Sequence, residues 1–361
     1  MSVTMKRVAA ELGVSVTTIS KVLNKQPDIS EAMRARVLEK VQQLGYRRNA
    51  IARSLTLRRT HTLGVIVPDL MHSFFVEVVA ALEQAIAGRG YGLLLCHLAE
   101  DPGRERPQLE MLLERQVDGI ALASVNSRQN EDILRRMAAL RKGLVLIDRD
   151  DYVGVPCHRV LTDDLLVGRL ATEHLVSLGH RAIAHVGGPR LAHTRRRERG
   201  YRDVMREHRL PVRDSWLVHG GLREQDGYLG MRRLLKAAPG VTAVFAANDP
   251  TAIGAMKAVW EAGRRVPEDI AIVGAGDIAH GDLIRVPLTT VSWSREELGV
   301  KAAELILDQI ERDGAGPFQR VIVPPRLVVR RSCGAGASVP AAEPGIPTQT
   351  RRKAAAARRD R

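Results

Sequence analysis

The spacing of apolar positions changes character once along this chain. In the first 45 residues it is helical. Val8, Ala9 and Leu12 share one helix face, Ile19, Val22 and Leu23 a second, and Met33, Val37, Val41 and Leu44 a third. Gly13 sits where the first helix must stop, because glycine accepts the left-handed backbone of a C-cap. Thr4, Ser15 and Ser30 stand at N-cap positions, where a hydroxyl can accept an orphan backbone N–H. Arg7 holds the third helical position of the first helix, so a capping box is absent there. Pro27 interrupts the second helix, and Gly45 ends the third. Three short helices imply a thin core of modest stability.

From residue 63 the pattern becomes short apolar runs alternating with helical stretches. Strands are predicted over 63–67, 91–98, 119–123, 144–148, 182–186, 243–247, 270–273, 289–291, 321–323 and 327–329. Helices are predicted over 74–87, 104–116, 130–140, 165–178, 195–207, 225–236, 251–261 and 296–310. That alternation implies parallel sheets covered on both faces. The βα units are too many for one compact sheet, so two similar lobes of roughly 100 to 130 residues follow.

Charge adds a direction to this picture. The net charge is +14, but residues 1–60 carry 12 Lys/Arg against 4 Asp/Glu and residues 334–361 carry 6 against 2. The basic excess therefore lies at the two ends, as expected where an end meets phosphate; a merely solvated surface is the alternative. Three cysteines, Cys96, Cys157 and Cys333, are too few and too far apart for a disulfide framework or a metal site, which fits a reducing cytoplasm. The N-terminus shows no apolar signal core, and no run of ~18 apolar residues predicts a membrane span. The stretch 333–361 is rich in Ala, Gly, Pro and Arg and reads as a disordered basic tail, solvated or touching DNA non-specifically.

Helix, glycine turn, helix is the geometry that lays a second helix in the DNA major groove with its first residues toward base edges. Here the run Val14-Ser15-Val16-Thr17-Thr18-Ile19-Ser20-Lys21-Val22-Leu23-Asn24 resembles the signature of the LacI/GalR family of bacterial transcription regulators. The resemblance continues through Val67-Pro68-Asp69, Ser73-Phe74-Phe75, Val117-Asp118-Gly119, Leu178-Gly179-His180-Arg181, Asn248-Asp249, Val266-Pro267-Glu268-Asp269-Ile270 and Pro287-Leu288-Thr289-Thr290-Val291. It covers residues 4 to about 331. It implies an α/β two-lobed periplasmic-binding-protein-like core, with parallel sheets flanked by helices, joined to a small all-α helix-turn-helix domain. The implied boundaries are 1–46 for the DNA-binding domain, 47–60 for a hinge with a short helix, 61–162 plus 292–322 for the N-lobe, and 163–291 plus 323–332 for the C-lobe.

At the DNA site, Val16 and Thr17 are expected on base edges, with Ser15, Thr18, Ser20, Lys21 and Asn24 nearby and Thr4 capping the first helix toward a phosphate. Val16 suits a thymine methyl, but neither Val16 nor Thr17 offers a bidentate fork. Much specificity would then come from the hinge and from DNA bending. There Asn49 caps a helix too short to persist alone, and Arg53 serves phosphates or is merely solvated. Leu55 matches the family's minor-groove wedge, its alternative being an ordinary linker leucine. The resemblance further implies a homodimer on a pseudo-palindromic double-stranded operator.

The resemblance places a small-molecule effector site in the cleft between the lobes. Candidates are Asp69, Phe74, Phe75, Ser124, Asp148, Arg149, Arg197, Asn248, Asp249 and Asp277. Most lie at predicted strand ends, where open α/β sheets take ligands. Phe74 and Phe75 can stack on a ring or pack at a helix start; Asp249 can bind, cap a helix, or both. Arg197 precedes Gly200-Tyr201 by the family's spacing and can fork onto hydroxyls or a carboxylate. Gly276 stands where the family's ligand aspartate is usual, so Asp277 substitutes from the next position or the contact is lost. The resemblance makes a sugar, sugar acid or sugar phosphate the expected effector, and the arginines at 195–199 point to the acidic forms. A purine or other co-repressor, or a vestigial cleft, is the alternative.

Neither a GxSxG, an HExxH, a Walker loop nor a complete GxGxxG occurs, so no enzyme activity is expected, and no cofactor or metal. His97, His185 and His193 read as cleft or core residues. A solute-binding protein would carry a signal peptide and lack the basic N-terminal domain.

Overall fold

A computed structural model of the chain describes residues 3–24, 26–46, 54, 59–125, 129–150, 152 and 154–335. The expected hinge helix, with Asn49, Arg53 and Leu55, lies outside the described residues, as do 336–361 of the expected tail.

Three helices form the N-terminal domain: α1 (Met5–Leu12), α2 (Val16–Leu23) and α3 (Glu31–Gln43). Their starts are capped as the sequence predicts. Thr4 Oγ1 accepts from the Arg7 N–H at 3.4 Å, Ser15 Oγ from Thr18 at 3.0 Å and Ser30 Oγ from Met33 at 3.4 Å. Gly13 ends α1 at φ 65°, a left-handed conformation that costs a Cβ-bearing residue energy. Val8, Ala9, Ile19, Val22 and Val37 form the buried centre, with Leu12, Leu23, Met33, Val41 and Leu44 packed around it.

After these the chain alternates strand and helix: β1 (Thr62–Val67), α4 (Ser73–Ala87), β2 (Gly92–His97), α5 (Glu105–Glu114), β3 (Gly119–Leu122), α6 (Glu131–Ala139), β4 (Gly143–Ile147) and β5 (His158–Thr162). Then follow α7 (Asp164–Ser177), β6 (Ile183–Gly187), α8 (Ala192–Glu207), β7 (Leu217–His219), α9 (Glu224–Ala237), β8 (Ala243–Ala246), α10 (Asp249–Glu261), β9 (Ala271–Ala275), β10 (Thr289–Ser292), α11 (Arg295–Glu311), β11 (Arg320–Val323) and β12 (Arg326–Val328). They form two units. One takes in residues through Asp163, Arg190–Arg195 and Trp293–Pro325; the other Asp164–Pro189, Arg196–Ser292 and the described residues from Arg326 onward.

The first unit holds a six-stranded sheet in the order β11-β5-β4-β3-β1-β2, parallel throughout. Its core joins Ile66, Ile120, Leu122, Leu144 and Leu146 on the strands to Leu109, Leu112, Leu134 and Met137 on α5 and α6. The second unit repeats the order as β12-β10-β9-β8-β6-β7, but β12 runs antiparallel to β10. Within it α9 and α10 touch backbone to backbone: a Cβ on Gly227 would collide with the Thr251 carbonyl, and one on Gly254 with that of Glu224.

Two strands escape the sequence pattern. β5 carries His158 and Arg159 within an otherwise apolar run. Arg159 is accommodated because its guanidinium donates to Asp150 at 2.9 Å and to the Cys157, Tyr152 and Val155 carbonyls. β7 is a three-residue edge strand, too short for periodicity to register. Helix α8 begins at Ala192, three residues before the predicted start, and α10 at Asp249, two before. No described helix is long and apolar enough to cross a membrane.

Candidate functional site

The DNA-facing candidates follow from the amphipathicity of α2. Ile19 and Val22 are buried in the three-helix core, which turns Ser15, Val16 and Thr17 outward. Val16 is 38% exposed, high for a valine in a packed domain. The Ser15 and Thr18 hydroxyls lie 2.9 Å apart while Ser15 caps the helix, so these two side chains brace its first turn. Lys21 pairs with Asp28 at 2.5 Å, and this hydrogen bond holds the Asp28 carboxyl below the usual carboxylate range. Asn24 Nδ2 donates to Ser20 Oγ at 3.4 Å, and Thr4 is exposed at the start of α1.

In the first unit the effector candidates lie just past strand ends. Asp69 follows β1. It is buried, accepts from the Met71 N–H at 3.0 Å and lies 3.1 Å from His97 Nε2. Phe74 and Phe75, in the first turn of α4, are each 3% exposed. Phe74 packs edge-on against Phe75 and Trp293, with ring centroids at 5.2 and 5.4 Å, so packing at a helix start describes both rings. Asp148 follows β4 with φ 61°, a left-handed conformation that aspartate tolerates better than most residues. The Arg149 guanidinium is buried. It forks onto Glu100 at 2.9 and 3.2 Å, donates to the Ser124 carbonyl at 3.2 Å and lies 5.5 Å from the Phe75 centroid.

Ser124 belongs to a cluster the sequence did not announce. Its hydroxyl donates to the Glu105 carboxylate at 2.7 Å. The same carboxylate accepts from the Val125 N–H at 2.9 Å, Asn130 Nδ2 at 3.1 Å and the Tyr152 hydroxyl at 2.6 Å. Burial and the neighbouring Glu105 charge push the Tyr152 phenol well above its ordinary range. Glu105 reads in sequence as an acid in a helix's first turn, which usually faces water; only the fold shows that it is fully buried.

In the second unit, Arg197 is 4% exposed, donates to Asp164 at 2.9 Å and gives its Nη1 to the Ala247 carbonyl at 2.9 Å. Asn248, not Asp249, caps α10. Its Oδ1 accepts from the Thr251 N–H and its Nδ2 donates to the Leu222 carbonyl, both at 2.9 Å. The capping alternative for Asp249 is thus corrected: Asp249 is the first helical residue. It is fully buried, accepting from the Thr290 hydroxyl at 2.6 Å and the Ile278 N–H at 2.9 Å. Burial pushes its carboxyl up to about 6 despite those donors. Asp277, at φ 53°, accepts from Arg330 at 2.6 Å and the Ser292 hydroxyl at 2.9 Å. Arg330 was missed because it follows a crossing strand, far from any motif. His185 lies between Tyr201 and Phe245, and burial drives its imidazole down to about 4.

With this geometry in view, two family models match: bacterial regulatory proteins of the lacI family over residues 4–49 and a periplasmic binding protein-like domain over residues 172–333. The chain is 34% identical over 335 residues to the HTH-type transcriptional repressor PurR of Haemophilus influenzae (strain PittEE), covering 91% of this chain and 98% of that one. It is 35% identical over 332 residues to the ribose operon repressor of Escherichia coli (strain K12), covering 91% and 99%. The solved lac repressor dimer bound to operator and the anti-inducer ONPF superposes with a TM-score of 0.82 at 25% identity, covering 92% of this chain and 99% of that one. These relatives are regulators and not enzymes. Because the likeness runs the full length of such repressors, helix-turn-helix and lobes together, the chain belongs to the lacI family of bacterial regulatory proteins.

Proposed function

We propose that the protein is a cytoplasmic homodimeric repressor whose affinity for a pseudo-palindromic operator is controlled by a small polyhydroxylated metabolite, a sugar, sugar acid or sugar phosphate. Arg197, Asn248, Asp249 and Asp277 of one lobe, and Asp69, Ser124, Asp148 and Arg149 of the other, are the residues we assign to effector recognition, with Phe75 packed against Arg149 and Phe74 against Phe75. The observation that carries this reading is the gathering of acids, guanidiniums and hydroxyls just past the ends of parallel strands in both lobes. That is where open α/β sheets take ligands. Coupling is reciprocal: whatever factor the effector imposes on operator affinity, the operator imposes on effector affinity.

On the DNA we assign Val16 and Thr17 to base edges. Thr4, Ser15, Thr18, Ser20, Lys21, Asn24, Asn49 and Arg53 then serve the surrounding contacts. Leu55 we assign to a minor-groove wedge that opens a base step. Leu55→Ala should therefore weaken specific binding far more than non-specific binding, and an equal loss of both would remove the wedge. A second reading, a purine co-repressor, is favoured by the 34% identity to PurR. The deciding experiment is thermal-shift screening of the full chain against sugars, sugar acids, sugar phosphates and purines, followed by operator binding with each hit. A ligand that binds the native state alone raises the melting temperature. A purine hit with no sugar hit would replace the sugar reading, and a folded protein that answers to none would favour a vestigial site.

A further inference from the structure

Both guanidiniums assigned to the effector site already have a carboxylate from their own lobe, Arg149 that of Glu100 and Arg197 that of Asp164, and the candidate Asp277 is likewise held by Arg330. The first pair differs from the others in how it is built. Glu100 stands in the loop after β2, next to Ala99, and the two adopt φ values of 58° and 57°. Successive left-handed conformations are costly for residues bearing a Cβ, about 1 kcal/mol or more each, and persist only where surrounding structure enforces them. Here the Glu100 N–H donates to the Pro68 carbonyl at 2.8 Å, and Asp101 closes the turn onto Leu98 at 3.1 Å. The strained turn delivers both carboxylate oxygens to Nη1 and Nη2 of Arg149. Arg149 has only 3% of its side chain exposed, but Glu100 retains 22%, so solvent reaches the pair from the Glu100 side.

We propose that Glu100 is a specificity-determining residue that occupies the carboxylate-binding fork of Arg149 and thereby closes this part of the site to anionic effectors. The proposal rests on the effector reading above and narrows it. A sugar acid or sugar phosphate would have to displace Glu100 and face its charge. A neutral polyhydroxyl compound needs neither, since its hydroxyls can donate to the carboxylate while the ion pair stays intact. Removal of the Glu100 charge takes the forked carboxylate away from the buried Arg149 cation. An anion then gains what a neutral sugar cannot supply.

The test compares the full-length wild type with Glu100→Gln, which keeps the side-chain size, in thermal shift and calorimetry. The probes are matched pairs: ribose and ribonate, glucose and gluconate, galactose and galactonate. The expected result is that the wild type responds to a neutral sugar, and that Glu100→Gln raises the affinity ratio of acid to sugar by about tenfold or more. A wild type that prefers the aldonate, or a ratio unchanged in the variant, overturns the role of Glu100. Silence of both proteins toward all six probes counts against the sugar reading itself. Glu100→Ala with added acetate then judges the fork independently. If the proposal holds, acetate restores the melting temperature lost in Glu100→Ala and leaves that of the wild type unmoved. Equal responses of the two proteins would show the pair to be an ordinary structural bridge.

Discussion

The two lobes share a strand order and share a device, a buried acid at the first residue of a helix, but they furnish it differently. In the first lobe Glu105 opens α5 and collects four neutral donors. In the second, Asp249 opens α10 with the Thr290 hydroxyl and the Ile278 N–H as its described donors. Both acids sit where the helix dipole favours negative charge. The donors of Glu105 are Ser124, Val125, Asn130 and Tyr152, so that carboxylate gathers groups that follow two strands. Those of Asp249 tie one strand to one turn, and burial outweighs them, raising the carboxyl to about 6. A helix dipole does not by itself offset what burial costs an acid.

The largest effect should follow from breaking the first device. Glu105→Ala orphans the Tyr152 hydroxyl, the Asn130 amide, the Ser124 hydroxyl and the Val125 N–H in a buried pocket. A loss of about 3–5 kcal/mol is expected in urea unfolding; a loss under about 1 kcal/mol would mean that water or a rearranged loop replaces the carboxylate.

The next effect sharpens the contrast through pH. Asp249 titrates near 6 in the fold against 3.8 ordinarily, so its contribution to stability is fully present below 3.8 and lost as pH rises through 6. His185 titrates near 4 against 6.5, so its contribution is present above 6.5 and lost as pH falls through 4. Each spans roughly two pH units, on the order of 3 kcal/mol. Between pH 4 and 6 the two slopes oppose each other within one lobe. Asp249→Asn should therefore steepen acid destabilisation, and His185→Phe should reverse it, as read by hydrogen exchange of β6 and β8 amides across that range. Parallel profiles for wild type and both variants would show that neither group titrates as its burial implies.

A smaller loss is expected from Arg330→Ala, which takes the guanidinium from Asp277, a largely buried pair with 20% and 16% of its side chains exposed, worth about 2 kcal/mol as a charged hydrogen bond. The informative readout is effector response: a variant that folds normally yet answers to ligand as before would separate Asp277 from the site.

Much of this could be read from the chain. The three capping hydroxyls, the glycine stop after α1 and the apolar faces of all three N-terminal helices were legible because each depends on residues within a turn or two. The alternation of strands and helices was legible for the same reason. The strand β5 was not, because its Arg159 is neutralised by Asp150 and three carbonyls that assemble only in the fold. The candidate site offered positions but not partnerships: Arg149, Arg197 and Asp277 stand among the candidates, whereas their partners Glu100, Asp164 and Arg330 do not.

By itself, then, the sequence determined all the longer elements and their order, the DNA-binding helix pair and the family, because periodicity, caps and motifs act over short distances along the chain. Tertiary structure alone decided which acids are buried, which arginines are already neutralised, and that β11 joins its sheet parallel while β12 joins antiparallel. Those outcomes depend on groups far apart in sequence, 49 positions for Arg149 and Glu100 and 53 for Arg330 and Asp277. Burial and Coulomb interaction depend on distance in space, which the linear pattern does not encode.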